Sequence, residues 1–177
     1  MEIEILQALQ GLHNPVLDGL MVAVTRLGDA GLVWIGLALV LLLRKQSRWC
    51  GIAMALALLI GMLCTNIVLK PLVLRPRPFA AWPELMLLVP APTDPSFPSG
   101  HTTAAFAATF SLVFQGKRWW WVALILAGLI AFSRLYLFVH YPTDVLAGAA
   151  IGLLAGWCGS RLAKKLQTWW ENRRPEE

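Results

Sequence analysis

The sequence predicts an all-α integral membrane protein, a six-helix bundle made of five clear membrane helices and an N-terminal helical segment. Three observations carry this prediction. Of 177 residues, 58% are hydrophobic and only 14% charged, which is too apolar for a soluble domain of this length. Apolar runs at about 30–43, 49–69, 102–115, 119–139 and 143–163 approach the roughly 20 residues, at about 1.5 Å each, that cross a bilayer. The cations gather in the turns between those runs and at the C-terminal end, as membrane anchors do.

Ahead of the first run, residues 2–12 and 15–27 read as two short helices separated by His13, Asn14 and Pro15. Asn14 suits an N-cap and Pro15 a first helical position. Two arrangements fit this segment: one irregular span, or two helices lying at the interface. Glu2 and Glu4 stand where a cleaved leader would carry Lys or Arg, so the first apolar segment is expected to be retained. The length suits a single domain over 1–177, with a core at about 15–165 and a basic cytoplasmic tail at 166–177. Between Pro71 and Pro98 lie eight of the eleven prolines, which excludes a regular helix and predicts a restrained loop. Within that loop Phe79 to Val89, apolar with one Glu84, is expected to lie along the membrane surface as a short helix covering a site, with a passive connector as the plain alternative. Cys50, Cys64 and Cys158 fall in apolar stretches without metal-ligand spacing and are expected as buried small residues.

Topology follows from the cations. Arg44, Lys45 and Arg48 in one turn, Lys117 and Arg118 in another, and Arg161, Lys164, Lys165, Arg173 and Arg174 at the end belong on one side, the cytoplasm. Lys70, Arg75, Arg77 and Arg134 remain on the other, with Arg26 if the N-terminal helices lie there. This distribution of a net charge of +5 describes membrane anchoring and argues against nucleic acid. Trp49, Trp119 to Trp121, Trp169 and Trp170 sit at segment ends, where amphipathic rings favour the headgroup zone.

Three polar blocks interrupt the oily chain, each at the edge of a hydrophobic segment, where charge is costly unless paired, hydrated or needed. Lys70 closes one helix, and Arg77 follows beyond Pro71 and Pro76, which turn the chain along the surface so that the two cations converge. The point charge of Lys and the planar fork of Arg both meet phosphate oxygens well; anchoring to headgroups by snorkelling is the plain alternative. Pro98-Ser99-Gly100-His101 opens the next helix. Ser99 suits its N-cap, the helix start offers free N–H groups to an anion, Gly100 allows close approach to the backbone, and His101 stands in the first turn. Simple capping would also account for Ser99 and Gly100. In the third block Ser133-Arg134 ends a helix, His140 follows, and Pro142 opens another helix with Asp144 in its first turn. A carboxylate that accepts one imidazole N–H fixes the tautomer and leaves the other nitrogen free to attack phosphorus. Helix capping is the alternative for Asp144. His13 has no such neighbours and reads as an interfacial or loop residue.

With these residues in hand, the chain resembles the type 2 phosphatidic acid phosphatase superfamily. Its three-part signature is matched in order and spacing by Lys70-Pro-Leu-Val-Leu-Arg-Pro-Arg77-Pro78, by Pro98-Ser99-Gly100-His101, and by Ser133-Arg134 with His140 and Asp144. The resemblance covers about residues 15–165. It implies a six-helix bundle with a site at the outer leaflet that needs no metal or cofactor. His140 would be the nucleophile forming a phosphohistidine, with Asp144 orienting it, and His101 would protonate the leaving oxygen and later activate water. Lys70, Arg77, Ser99, Gly100 and Arg134 would hold the phosphoryl oxygens.

The expected activity is hydrolysis of a lipid phosphate or diphosphate, and undecaprenyl diphosphate, the cell-wall carrier, is the favoured substrate. Phosphatidylglycerol phosphate, phosphatidic acid and lipid A phosphate are alternatives, because no residue reads the lipid tail. Similar folds that hold vanadate act as haloperoxidases, but those relatives are soluble and larger, whereas this chain is oily throughout. A non-catalytic lipid binder or transporter would need the cations alone, and the presence of both histidines argues against it.

Overall fold

The computed structural model describes residues 1–173, so Arg174, assigned above to the cytoplasmic end, lies outside the described residues. Helix α1 (Glu2–Gln10) ends at Gly11, and α2 (Pro15–Leu27) begins at the expected cap, where the Asn14 side chain accepts from the Leu17 N–H. A short 3₁₀ turn, Asp29–Gly31, leads into α3 (Leu32–Leu43). Helix α4 (Arg48–Met62) passes through a π-helical stretch, Leu63–Leu69, into the single turn α5 (Lys70–Val73), and the three make one continuous rod. After the proline-rich loop come α6 (Gly100–Phe114), α7 (Trp120–Tyr136) and α8 (Pro142–Glu171).

The described residues therefore form seven helical rods rather than six. The expected N-terminal segment is not one unit. Gly11 and the Asn14–Pro15 start separate α1 from α2, and α2 continues into α3 with a bend of 43°. That bent pair has the length and apolarity of one broken span. The rod through α4 and the helix α8 each have the length and composition to cross a bilayer alone, whereas α7, at 17 residues, reaches about 26 Å.

Helix α6 lies at the centre, packed against α4, α7 and α8. Its buried face is small: Ala105, Ala107 and Ala108 are fully buried, with Thr102, Thr103, Thr109 and Ser111 beside them. The hydroxyls of Thr103, Thr109 and Ser111 return to carbonyls of their own helix, which removes the cost of burying them. Larger side chains, Trp34, Leu41, Met54, Leu112 and Ile130, fill the space among α3, α4, α6 and α7. Helix α8 presents a run of glycines to its neighbours. A Cβ at Gly152 would stand 2.6 Å from the Phe106 Cβ, and one at Gly159 would stand 2.6 Å from the Ala53 carbonyl oxygen. Small residues at helical spacing let backbones in lipid approach closely, and dispersion contact replaces the missing hydrophobic drive.

Two sequence expectations change here. Pro83 drives Trp82 out of helical geometry, and beyond the 3₁₀ turn Pro78–Ala81 the stretch to Val89 is not helical. Phe79 and Val89 pack instead against Met21, Tyr136, Leu137 and Val139, so this part of the loop is clamped to the bundle. Of the cysteines, which are all free, Cys50 is buried but Cys64 is exposed on the helix surface.

Because Gly152 faces backbone, Gly152→Ala should lower stability in detergent by about 1–3 kcal/mol, the usual cost of overpacking. Gly19→Ala, where a Cβ meets nothing within 4 Å in the middle of α2, should leave the unfolding temperature unchanged or raise it. Thermal unfolding of the two variants side by side checks the contrast.

Candidate active site

One end of the bundle collects the polar blocks. Lys70 stands where the π-helical stretch hands over to α5. The widened turn places Thr65 and Asn66 on the same cavity wall as Lys70, in keeping with the habit of π-bulges to re-aim side chains at sites. Beyond α5 the chain is extended through Arg77, whose guanidinium turns inward and is 6% exposed. Arg77 donates from Nη1 to the Val139 carbonyl at 2.8 Å, and from Nε and Nη2 to the carbonyl and carboxylate of Asp94. Asp94 also accepts from Lys70. Burial alone would raise the Asp94 pKa, but Lys70 and Arg77 hold it down at about 2.

Helix α6 begins at Ser99, whose hydroxyl caps the Thr102 N–H and accepts from the Thr102 hydroxyl. Ser99 is fully buried behind the cavity wall, while Gly100 and His101 line the cavity. A Cβ at Gly100 would point toward the Lys70 Nζ, 3.9 Å away, so the glycine keeps that approach to the cation clear. His101 Nε2 lies 3.0 Å from Asp29 Oδ1.

Arg134, in the last turn of α7, is 4% exposed and donates to the Thr25 hydroxyl of α2. Its Nε has no protein partner among the described residues. After α7 the chain reverses through Phe138, at φ +58°, a conformation uncommon for an aromatic residue. This turn brings the N–H groups of Val139 and His140 back to the Arg134 carbonyl at 3.2 and 3.3 Å, and so fixes His140 beside Arg134.

The His140 ring presents its two nitrogens to different surroundings. Nδ1 faces the Ser96 hydroxyl at 3.4 Å and Asp144 Oδ2 at 3.5 Å, and Nε2 lies 3.3 Å from Arg77 Nη1. Ser96 in turn donates to Asp144 Oδ2. An imidazole with its proton on Nδ1 and a lone pair on Nε2, beside a cation, fits every one of these partners. Burial pushes the His140 pKa well below its ordinary value, against the pull of Asp144, and favours the neutral ring. Asp144 is both cap and partner. It accepts the Tyr141 N–H at 2.8 Å in a capping box and is held from its other oxygen by Arg75 at 2.7 Å.

Lys70, Arg77, Gly100, His101, Arg134 and His140 thus line a single cavity of about 550 Å³, with Asp144 and Ser99 directly behind its wall. The cavity continues as an apolar cleft between α3 and α4, past Ile35, Leu39, Leu58 and Met62. His13 lies elsewhere, stacked on Tyr136 with ring centroids 4.3 Å apart. The sequence reading missed Asp29, Arg75, Asp94 and Ser96 as site neighbours. Asp94 and Ser96 carried a usable signal, being polar residues in the proline-rich loop just ahead of Pro98-Ser99-Gly100-His101. Asp29 carried none, because 72 residues separate it from its partner.

Known proteins resemble this chain over most of its length. The model of the PAP2 superfamily matches residues 50–168. The undecaprenyl-diphosphatase BcrC of Bacillus subtilis is 35% identical over 173 residues, covering 94% of this chain and 86% of that protein. Among solved structures, LpxE of Aquifex aeolicus superposes with a TM-score of 0.79 at 28% identity, covering 90% of this chain and 94% of that one. A PAP2-type phosphatidylglycerolphosphate phosphatase from Bacillus subtilis superposes with a TM-score of 0.74 at 28% identity, covering 92% and 84%. With the three signature blocks converging on one cavity and the family model spanning most of the chain, this multi-pass membrane protein belongs to the PAP2 superfamily and is a phosphatase.

Proposed function

We propose that the protein hydrolyses a lipid diphosphate, undecaprenyl diphosphate, to the lipid monophosphate and inorganic phosphate through a phosphohistidine at His140. The observation that carries this reading is the junction of two surfaces in one cavity. Three buried cations and two imidazoles sit at one end, and an apolar cleft leads away from them between α3 and α4. A diphosphate head suits the first and the start of a polyprenyl chain the second, with the rest of the chain left in the bilayer. The similarity to an undecaprenyl-diphosphatase over nearly the whole chain supports the same substrate.

In this mechanism the terminal phosphoryl group takes the place that the Asp94 carboxylate holds between Lys70 and Arg77. Asp94 is half exposed and can turn to solvent. Arg134 Nε, which lacks a protein acceptor among the described residues, donates to a third phosphoryl oxygen, and Gly100 admits the group to the start of α6. His140 Nε2 attacks phosphorus, the bond to the bridging oxygen breaks, and His101 gives that oxygen a proton. Lipid monophosphate leaves. His101 then takes a proton from water, the water oxygen attacks phosphorus, and the P–N bond breaks to release phosphate and neutral His140. Through Ser96, Asp144 holds the His140 Nδ1 proton and stabilises the cation that develops on the ring. The cations act where charge gathers in the five-coordinate transition state.

We place the site on the outer face of the membrane. Arg44, Lys45, Arg48, Lys117, Arg118, Arg161, Lys164 and Lys165 follow the positive-inside rule at the other end, where the end of α6 meets the distal half of α8. A second substrate reading, phosphatidylglycerol phosphate, has its own support in the structural similarity to a phosphatase of that lipid. Purified protein challenged with both lipids and with phosphatidate, scored by released phosphate, separates the readings. The diphosphate should be turned over with the highest kcat/KM.

Hydrolysis should continue in excess chelator and be inhibited by vanadate, which adopts the five-coordinate geometry; a strict requirement for a divalent ion would sink the mechanism. The pH dependence of kcat/KM should be bell-shaped, because His140 must be neutral to attack and His101 protonated to donate. A monotonic profile would contradict that division of labour. Arg134→Lys should lower kcat by about 10²-fold, since the charge remains but the Nε donor is lost. Wild-type turnover in that variant would exclude a role for Arg134 in the transition state.

A further inference from the structure

We propose that Asp29, in the turn between α2 and α3, is the positioning residue for His101, so that the site contains two carboxylate–imidazole pairs facing each other across the phosphoryl seat. The proposal rests on the reading of His101 as the proton donor. Asp29 Oδ1 lies 3.0 Å from His101 Nε2, a hydrogen-bond distance. With Nε2 engaged there, Nδ1 is the nitrogen left to serve the leaving oxygen.

Two further features of the turn point the same way. The first is contact. A Cβ at Gly28 would stand 2.8 Å from His101 Cδ2 and 3.0 Å from Ile130 Cγ2, so the imidazole packs directly on the backbone of the residue before Asp29, between the turn and α7. The second is conformation. Ala30 has φ +50° and Gly31 φ +69°, two consecutive left-handed residues that reverse the chain immediately after Asp29. An alanine held in that region costs energy that the surrounding structure must offset, and such outliers gather at sites where geometry is put to use. Packing gives no other reason for Asp29, whose side chain is 57% exposed.

The electrostatics favour such a partner. Burial first, and then Arg134 of α7 and Lys70 of α5, disfavour the protonated form of His101, and Asp29 is the carboxylate that opposes them. A proton donor beside two cations loses its proton too readily, and a negative group offsets part of that effect. The end of α2 and its turn therefore serve the site twice, with Thr25 holding Arg134 and Asp29 holding His101.

The chain contains only three histidines, His13, His101 and His140, so the full protein labelled with ¹⁵N-histidine in detergent gives ring signals that His13→Gln and His101→Gln variants assign. In Asp29→Asn the titration midpoint of His101 should fall by about one pH unit. Those of His13 and His140 should stay in place, and the alkaline limb of kcat/KM should fall by the same amount. KM should be unchanged and kcat reduced, and Asp29→Glu should restore part of the midpoint. Gly28→Ala, which keeps the carboxylate but crowds the ring, should also lower kcat. A His101 midpoint that does not move in Asp29→Asn overturns the proposal. A midpoint that falls while the alkaline limb stays upholds the pair and overturns instead the assignment of His101 as proton donor.

Discussion

Three cations buried at one end of an apolar bundle are the constraint that the remaining structure answers. Lys70, Arg77 and Arg134 are each less than a tenth exposed, and a buried charge without partners is far too costly to persist. Each is therefore supplied with oxygen: Lys70 from Asp94, Arg77 from Asp94 and the Val139 carbonyl, Arg134 from Thr25. Supplying those acceptors dictates the course of the chain. The proline-rich loop must return over the site to deliver Asp94, and α2 must end beside α7 to deliver Thr25. The chain after α7 must double back so that a backbone carbonyl meets Arg77.

Under the proposed function the same arrangement keeps the site ready for an anion. In the proposed mechanism Asp94 is the acceptor that a phosphoryl group replaces, because it is half exposed and sits on the loop, whereas Thr25 belongs to α2 and the Val139 acceptor is a backbone carbonyl fixed in the turn after α7. The loop itself is tied down. Its Ser96 N–H donates to the Arg75 carbonyl, and Phe79 and Val89 are packed against the bundle, so exchanging one anion for another asks for a side-chain rotation rather than movement of the whole segment. Arg75 extends the network outward through Asp144 and Glu2. It thereby fastens the first turn of α1 to the first turn of α8, where Glu2 also accepts from Thr143.

Local signals foretold local structure. The cap at Asn14, the start of α6 at Ser99 and the start of α8 at Pro142 were legible because capping depends on a few adjacent residues. The helix between Phe79 and Val89 failed for the same kind of reason, since Pro83 outweighs an apolar composition. The six-rod count failed because hydropathy reports that a segment is oily. It does not report whether two short oily helices make one rod, and the break from Gly11 to Asn14 keeps α1 and α2 separate.

The order of residues was enough to mark a membrane-embedded helical protein and to pick out the cations, imidazoles and carboxylate that the fold gathers at one end of the bundle, because composition, spacing and capping are properties of the chain itself. What it left undecided were the partners that hold those groups in place. Asp29, Asp94 and Ser96 gain their meaning from contacts across 72, 24 and 44 residues of sequence, to His101, Lys70 and His140. Polar contacts at such separations arise when helices dock. Until α2, the loop and α8 are packed around α6, nothing in the local chemistry of an aspartate or a serine says which histidine or lysine it will meet.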